Sequence, residues 1–282
     1  MAIVSFWSNT KKETAQTLSM IALASYIAVE NNNRILIVDV NLNDKTIKNA
    51  YWQDKQEDTK QMIKKMSDGK LDIGSGIEGL SKLLVSGKNS GEIITDYASI
   101  VYKGRLEAML SLMSNVQDDI ERVRSVYIDL IKLANQQYDY VFVDVPKTFQ
   151  DPLTTPILEM SDVVVYNITQ RLRDMDEYMA EKANNPLFKK DKVLPLIGRY
   201  DRFSKYTKKN IARYIGDKKD IPAVSYNTLF FEAASEGEIG NFFLKFRKSL
   251  LSNQDRNIAF VDEVANAAQR LIYKTQEVLM MR

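Results

Sequence analysis

The chain has 282 residues, of which 45% are hydrophobic and 27% are charged, and its formal net charge is +2. This composition is typical of a globular protein, and so small a net charge means that any nucleic-acid-binding surface must be local. The sequence contains no cysteine and no histidine. Disulfides, thiol nucleophiles, most zinc sites and Ser-His-Asp chemistry are therefore excluded, which leaves carboxylates, lysines and hydroxyls for any catalysis.

From the sequence we expect neither a signal peptide nor a membrane-spanning stretch. The N-terminus is predicted as a strand and has no charged segment followed by an apolar run, so no signal peptide is visible. No apolar stretch approaches the length needed to span a bilayer. We therefore expect a cytoplasmic protein. A single α/β domain over residues 1–282 is the simplest organisation, because open sheets of this kind often exceed the usual domain length.

The first part of the chain predicts two strands around one helix. Residues 3–7 form a short apolar run, and residues 17–30 place apolar side chains at helical spacing. Residues 34–39 are a continuous β-branched run, which is typical of a strand buried on both faces of a parallel sheet. Residues 43–70 are polar and rich in lysine, and predict a surface excursion with helical pieces.

The rest of the chain continues the alternation of strands and helices. Helices are predicted at residues 77–87 and 117–136, and a strand at 106–112. Further strands are predicted at 138–146, 162–168, 192–197 and 221–226. This alternation indicates βαβ units, so the predicted fold class is α/β, with a mostly parallel twisted sheet flanked by helices.

Two features mark one edge of this sheet as a candidate site. Asp39 and Asp144 each end a predicted strand, at the edge where α/β sheets bind ligands. The alternative is that these aspartates simply end strands and cap loops. The loop at residues 8–17 joins the first strand to the first helix and contains no glycine.

Together these segments resemble the deviant Walker A ATPases of the ParA/MinD group, including TadZ- and CpaE-like positioning proteins. The loop of that family reads KGGxGKT, and residues 11–17 (KKETAQT) fall on it. The resemblance implies that Lys11 is the signature lysine reaching across a dimer, and that Thr17 is the magnesium-binding hydroxyl. It also implies that Asp39 orients the attacking water and that Asp144 holds magnesium through water.

The loop departs from the family pattern at most of its positions. Lys12, Glu13 and Ala15 replace glycines, Gln16 replaces the phosphate-binding lysine, and Thr14 occupies the variable position. Glycines let backbone N–H groups wrap the phosphates, and the lysine neutralises their charge. Glu13 is expected to place a carboxylate where phosphate oxygens lie, which is repulsive. We therefore expect no cofactor or only weak binding of ATP with magnesium, and no efficient hydrolysis.

Two later segments also match the family. Residues 197–201 lie where an asparagine-containing loop reads adenine in the family, although no asparagine is present here. Residues 221–227, followed by 232–237, resemble the stretch that lines the base and the dimer face. The resemblance thus covers nearly the whole chain.

A basic stretch with interleaved aromatic residues follows the strand predicted at residues 192–197. Its DNA-binding candidates are Arg199, Arg202, Lys205, Lys208, Lys209 and Arg213. Such residues can hold a nucleic-acid backbone while rings stack on bases. The alternative is a solvated helix whose aromatic side chains face the core. The last helix, predicted at 261–281, is expected to pack on the sheet and not on a membrane, because its polar face carries few cations.

The resemblance implies a homodimeric partition or positioning protein with a degenerate nucleotide site. Its task would be DNA segregation, or placement of a conjugation or pilus apparatus, with a partner of the ParB or pilus/conjugation type and non-specific DNA as a second contact. One alternative is an active ATPase in which Lys11 or Lys12 replaces the missing lysine. The other alternative is a DNA-binding accessory protein without nucleotide dependence.

Overall fold

A computed structural model describes residues 1–8, 13–53, 76–87, 90–146, 151–217, 219–246 and 256–281. Lys11 and Lys12, and most of the predicted excursion at 43–70, lie outside these residues. All statements below concern the described part of the chain.

The strands form one sheet of eight in the order β3-β4-β2-β5-β1-β6-β7-β8. Their bounds are β1 Ala2–Trp7, β2 Ile35–Asp39, β3 Ser99–Tyr102, β4 Leu106–Met109, β5 Tyr140–Asp144, β6 Val163–Ile168, β7 Val193–Tyr200 and β8 Ala223–Ser225. Among these strands only the edge strand β3 is antiparallel to its neighbour, β4, and all other pairs are parallel. The predicted fold class, a mostly parallel sheet flanked by helices, is confirmed.

Helices cover both faces of the sheet. Their bounds are α1 Gln16–Glu30, α2 Thr46–Tyr51, α3 Gly76–Val85, α4 Glu92–Tyr97, α5 Gln117–Ala134, α6 Thr154–Met160, α7 Leu172–Asn184, α8 Lys208–Tyr214, α9 Thr228–Glu236, α10 Ile239–Lys245 and α11 Arg256–Met280. Helices α1, α2 and α9 to α11 share one core layer, and α3 to α8 share the other. Strand side chains alternate between the two layers, so that Phe6 faces the first and Trp7 the second.

Strand β3 was not predicted from the sequence. It has only four residues, none of them fully buried, so it lacks the apolar run that identifies the inner strands. Gly104, with a φ of 71°, lies in the turn between β3 and β4, where a left-handed backbone favours glycine.

The last helix packs on the sheet, as predicted. Helix α11 contacts α1 and β8. Val264, Ala268 and Leu271 on its inner side are buried in the first core layer. Within the described residues, none of the helices combines the length and apolar character needed to cross a membrane.

The strand register brings the candidate site together. Strands β2 and β5 are parallel neighbours with Asp39 directly opposite Asp144, and β1 pairs with β5 so that Phe6 is opposite Asp144. The chain leaves β1 at this same edge and returns as α1. The loop before α1 and the two aspartates therefore meet at the carboxyl edge of the sheet.

Candidate functional site

The two aspartates form a buried pair bridged by an asparagine. Asp39 is 1% exposed and Asp144 is 0% exposed. The Asn41 side-chain amide donates to Asp39 Oδ1 at 2.9 Å and lies 3.2 Å from Asp144 Oδ2. The backbone N–H of Asn41 also donates to Asp39 Oδ1, at 3.0 Å. The other oxygen of Asp39, Oδ2, is buried and has no hydrogen-bond partner.

Burial determines the charge state that Asp39 prefers. Desolvation, followed by the charge of Asp144, raises the pKa of Asp39 well above its ordinary value of 3.8, and the hydrogen bonds from Asn41 oppose this only in part. The Asp39 carboxylate is therefore destabilised in the folded protein.

Replacing Asp39 with asparagine is expected to stabilise the protein at neutral pH by about 1–2 kcal/mol, because the neutral amide carries no charge to bury and does not repel the Asp144 carboxylate. Because the pKa of Asp39 is higher in the folded than in the unfolded protein, Asp39 lowers the free energy of unfolding once the pH exceeds the unfolded-state pKa. Below pH 3.8 Asp39 is protonated in both states, so the stability gained by Asp39→Asn should vanish there. Urea unfolding at acidic and neutral pH measures this difference. The exposed Asp96→Asn variant is the control. A less stable Asp39→Asn variant at neutral pH contradicts this expectation.

Gln16, at the position matched to the phosphate lysine, turns into the protein. Its Nε2 donates to Asp144 Oδ1 at 2.6 Å and to the Val145 carbonyl oxygen at 2.9 Å. Its Oε1 accepts from the Ser8 hydroxyl at 3.0 Å. The side chain is 1% exposed. Both ends of the Gln16 amide are thus used inside the protein.

The hydroxyl groups around Gln16 extend the same network. Thr17, matched to the magnesium position, donates to Asp144 Oδ2 at 2.7 Å. Thr14 donates to the Ser8 hydroxyl at 3.0 Å. The side chains matched to the magnesium ligands therefore bind one another. Among the described residues, no group of three or more carboxylates is arranged to hold a metal ion.

Ala15 keeps a backbone conformation that suits glycine. Its φ is 52° and its ψ is 36°, in the left-handed region, at the residue preceding α1. A side chain with a Cβ is strained there. Ala15 therefore has a backbone conformation that glycine would adopt with less strain.

Changing Ala15 to glycine is expected to raise the free energy of unfolding by about 0.5–1 kcal/mol, because the relief of left-handed strain exceeds the entropy lost by glycine. Thermal or urea unfolding measures the gain. The matched control is Ala180→Gly at an exposed position inside α7, which is expected to destabilise. A loss of stability in Ala15→Gly contradicts the expectation.

Glu13 forms an ion pair with an arginine that is distant in sequence. Its carboxylate forms an ion pair with the Arg171 guanidinium, and Arg171 also pairs with Asp174 at 3.1 Å. The Glu13 side chain is 56% exposed. Whether a carboxylate at this position excludes phosphate stays a prediction.

A cleft of about 180 Å³ lies beside the loop. It is lined by Ala15 and Ser19 from the start of α1, by Arg199 from the end of β7, and by Tyr226 and Phe230 after β8. The two segments that resemble the base-reading parts of the family thus meet at one cleft. Gly198 makes this approach possible, because a Cβ there would lie 2.0 Å from the Thr14 carbonyl oxygen.

The DNA-binding candidates lie in three settings. Arg199 has a φ of 55° at the irregularity between β7 and β8 and is exposed. Arg202 and Lys205 lie in the loop before α8, where Arg202 stacks over the Phe203 ring at 4.9 Å. Lys208 is engaged in an ion pair with Glu263.

In this basic stretch, one aromatic side chain does not face the core as the solvated-helix alternative requires. Phe203 is 84% exposed, whereas Tyr200 is buried. Lys209 and Arg213 are exposed on α8. Gln170 fixes the loop by donating to the carbonyl oxygens of Asp201 and Tyr206, at 2.9 and 2.8 Å.

Sequence reasoning missed three contributors to the site. Ser8 and Asn41 supply hydrogen bonds to Gln16 and to the aspartates, and Gly198 lets β7 approach the loop. Ser8 and Asn41 each follow a predicted strand on the carboxyl edge, which was an available signal. The importance of Gly198 depends on a contact across the fold and has no local signal.

Solved structures resemble the whole chain. A ParA family ATPase from Chlorobium tepidum TLS has a TM-score of 0.66 at 17% identity, over 96% of this chain and 99% of that chain. MinD from Pyrococcus horikoshii OT3, solved with Mg-ADP, gives 0.63 at 12% identity, over 97% and 98%. A Borrelia burgdorferi B31 plasmid partition protein bound to AMPPNP gives 0.55 at 14% identity, over 95% and 98%. No protein-family model matches the chain, and no curated protein matches it in sequence.

The sheet and these neighbours define the fold: the chain has the fold of a P-loop NTPase. ParA/MinD ATPases are among the solved structures that share it. The fold implied by the sequence resemblance is therefore confirmed. At these identities the likeness is one of fold.

Proposed function

We propose that this chain is a ParA/MinD/TadZ-like partition or positioning protein whose nucleotide site is degenerate. It acts as a scaffold in DNA segregation or in placing a conjugation or pilus apparatus, in the cytoplasm. The observation that carries the proposal is the bond of Gln16 to Asp144 within a ParA/MinD fold. It supports a site in which the family's phosphate and magnesium positions serve structure.

The charges of the described residues support the same proposal. Glu13 supplies a carboxylate at a position where the family has glycine, and Gln16, at the position matched to the phosphate lysine, is neutral and is hydrogen-bonded to Asp144. Phosphoryl transfer depends on positioning and charge neutralisation, so these residues do not fit a magnesium-bound triphosphate poised for hydrolysis. Residues 13–17 together with Asp39 and Asp144 are then a relic of the family's nucleotide-binding site.

Calorimetric titration with ATP and magnesium, with a hydrolysis assay, tests the proposal. The ParA family ATPase from Chlorobium tepidum TLS serves as the reference. We expect binding far weaker than micromolar and no turnover above background. Micromolar binding with turnover near that of the reference would contradict the proposal and favour the active ATPase. Lys11→Ala and Asp39→Ala, each abolishing turnover, would then identify its machinery.

The proposed protein is a homodimer whose assembly does not need nucleotide. Light scattering of the purified chain, with and without ATP and magnesium, tests this. The expected mass is twice 32.3 kDa in both conditions. A monomer that dimerises only with ATP would contradict it.

DNA contact is a second candidate function, favoured by exposed Phe203 between Arg202 and Lys205. Affinity for non-specific DNA should fall steeply with salt, because cations displace counterions from phosphates. Reversing Arg202, Lys205 and Lys209 together is expected to reduce affinity by at least about 100-fold. The matched control reverses Lys132, Lys189 and Lys190, which are exposed elsewhere. Binding that is insensitive to salt would exclude this contact.

A further inference from the structure

The Gln16 side chain is matched atom by atom to its surroundings. An amide offers two N–H donors and one carbonyl acceptor. Nε2 uses its donors on Asp144 and on the Val145 carbonyl oxygen, while Oε1 accepts from Ser8. A lysine has no acceptor to offer Ser8, and a methionine has no donor to offer Asp144. The site is therefore built for an amide.

The bonds of Gln16 join four parts of the fold. Ser8 follows β1, Asp144 ends β5, Gln16 opens α1, and Thr14 extends the chain of bonds into the preceding loop. All four side chains are buried. Buried polar networks that are fully satisfied hold one arrangement, because any opening leaves groups without partners in a low dielectric.

We propose that Gln16 is an internal plug, which occupies the place beside Asp144 and keeps the side chains of Thr14, Gln16 and Thr17 in the same arrangement with and without nucleoside triphosphate and magnesium. This inference rests on the proposed function, since it states what occupies the degenerate site. Displacing Gln16 would remove a donor from fully buried Asp144. An incoming triphosphate would bring further negative charge next to Asp144. It would be repelled there and could not replace the hydrogen bond that Gln16 donates.

Amide NMR tests the plug directly. The side-chain NH₂ resonances of Gln16 are assigned by their loss in Gln16→Met. We expect their hydrogen exchange to be at least about 100-fold slower than that of the exposed Gln136 amide. We also expect their shifts to stay unchanged when millimolar ATP and magnesium are added. Exchange as fast as that of Gln136, or a shift that follows ATP, overturns the proposal.

Thermal unfolding supplies an independent readout. Gln16→Met keeps the length of the side chain and removes its hydrogen bonds, so the expected fall in Tm is about 5 °C. Gln136→Met, at an exposed position, is the matched control and should leave Tm unchanged. Equal Tm values for the two variants overturn the plug.

The two proposals fail in different ways. If the wild-type chain shows no turnover but its Gln16 amide exchanges freely, the plug is contradicted and the proposed function stands. If the chain hydrolyses ATP rapidly and the nucleotide displaces the Gln16 amide, both proposals are contradicted. If the amide is fully protected but the chain has no role in positioning, only the proposed function is contradicted.

Discussion

Replacing Gly198 with alanine is expected to lower the free energy of unfolding by about 3 kcal/mol and to displace the loop before α1. The added Cβ would lie 2.0 Å from the carbonyl oxygen of Thr14 and 3.1 Å from its carbonyl carbon. Both are backbone atoms, so no rotamer change can relieve the contact. Either β7 or the loop has to move, and the hydrogen bond of Thr14 to Ser8 lies on the moving segment.

Gly91→Ala is the matched control for this prediction. A Cβ at Gly91 would also be crowded, at 2.9 Å, but by the end of the Gln137 side chain, which can rotate away. We expect that variant to lose less than about 1 kcal/mol. Urea unfolding compares the two variants. The Gln16 amide resonances of Gly198→Ala should shift, and equal stability of both variants would contradict the close approach of β7 to the loop.

Replacing Lys192 with methionine is the second change with a large expected effect, a loss of about 3 kcal/mol. Lys192 is 5% exposed, and its Nζ donates to the carbonyl oxygens of Leu158, Glu159 and Ser161, each at 2.8 Å. Two of these carbonyls belong to the last turn of α6, where a cation is favourable. Methionine preserves the apolar stem and leaves the carbonyls without this donor.

The exposed Lys189→Met variant is the control for Lys192 and should keep the stability of the parent chain. Chemical denaturation measures both variants. Because Lys192 precedes β7, at the edge of the sheet opposite the aspartates, the Gln16 amide resonances should stay in place. A Lys192→Met variant as stable as Lys189→Met would show that water replaces the lysine at little cost.

The two predictions concern opposite edges of one sheet, and this separation bears on function. The carboxyl edge holds Gln16, the aspartates and the cleft beside Ala15. The amino edge holds Lys192 and serves stability. A change at the amino edge should alter Tm without altering partner or DNA binding, whereas a change at Gly198 should alter both.

The edge strand β3 and the ion-pair partner of Glu13 are two features that the sequence pattern did not predict. The inner strands are long apolar runs, and their bounds were predicted within a few residues. Strand β3 is only four residues long and only partly buried, so its sequence carries no such run. The partner of Glu13 is Arg171, a residue far along the chain that no spacing rule connects to the loop.

The sequence by itself determined the α/β class, the placing of Asp39 and Asp144 at strand ends, and the absence of glycine from residues 8–17. These features depend on the order of residues and on the spacing of apolar side chains along the chain. Only the tertiary structure decided which side chains meet at the carboxyl edge of the sheet. Gln16 meets Asp144 across 128 positions of sequence, and Gly198 meets Thr14 across the sheet. Such contacts depend on how parallel strands register in space, which sets both distance and direction and which no local pattern encodes.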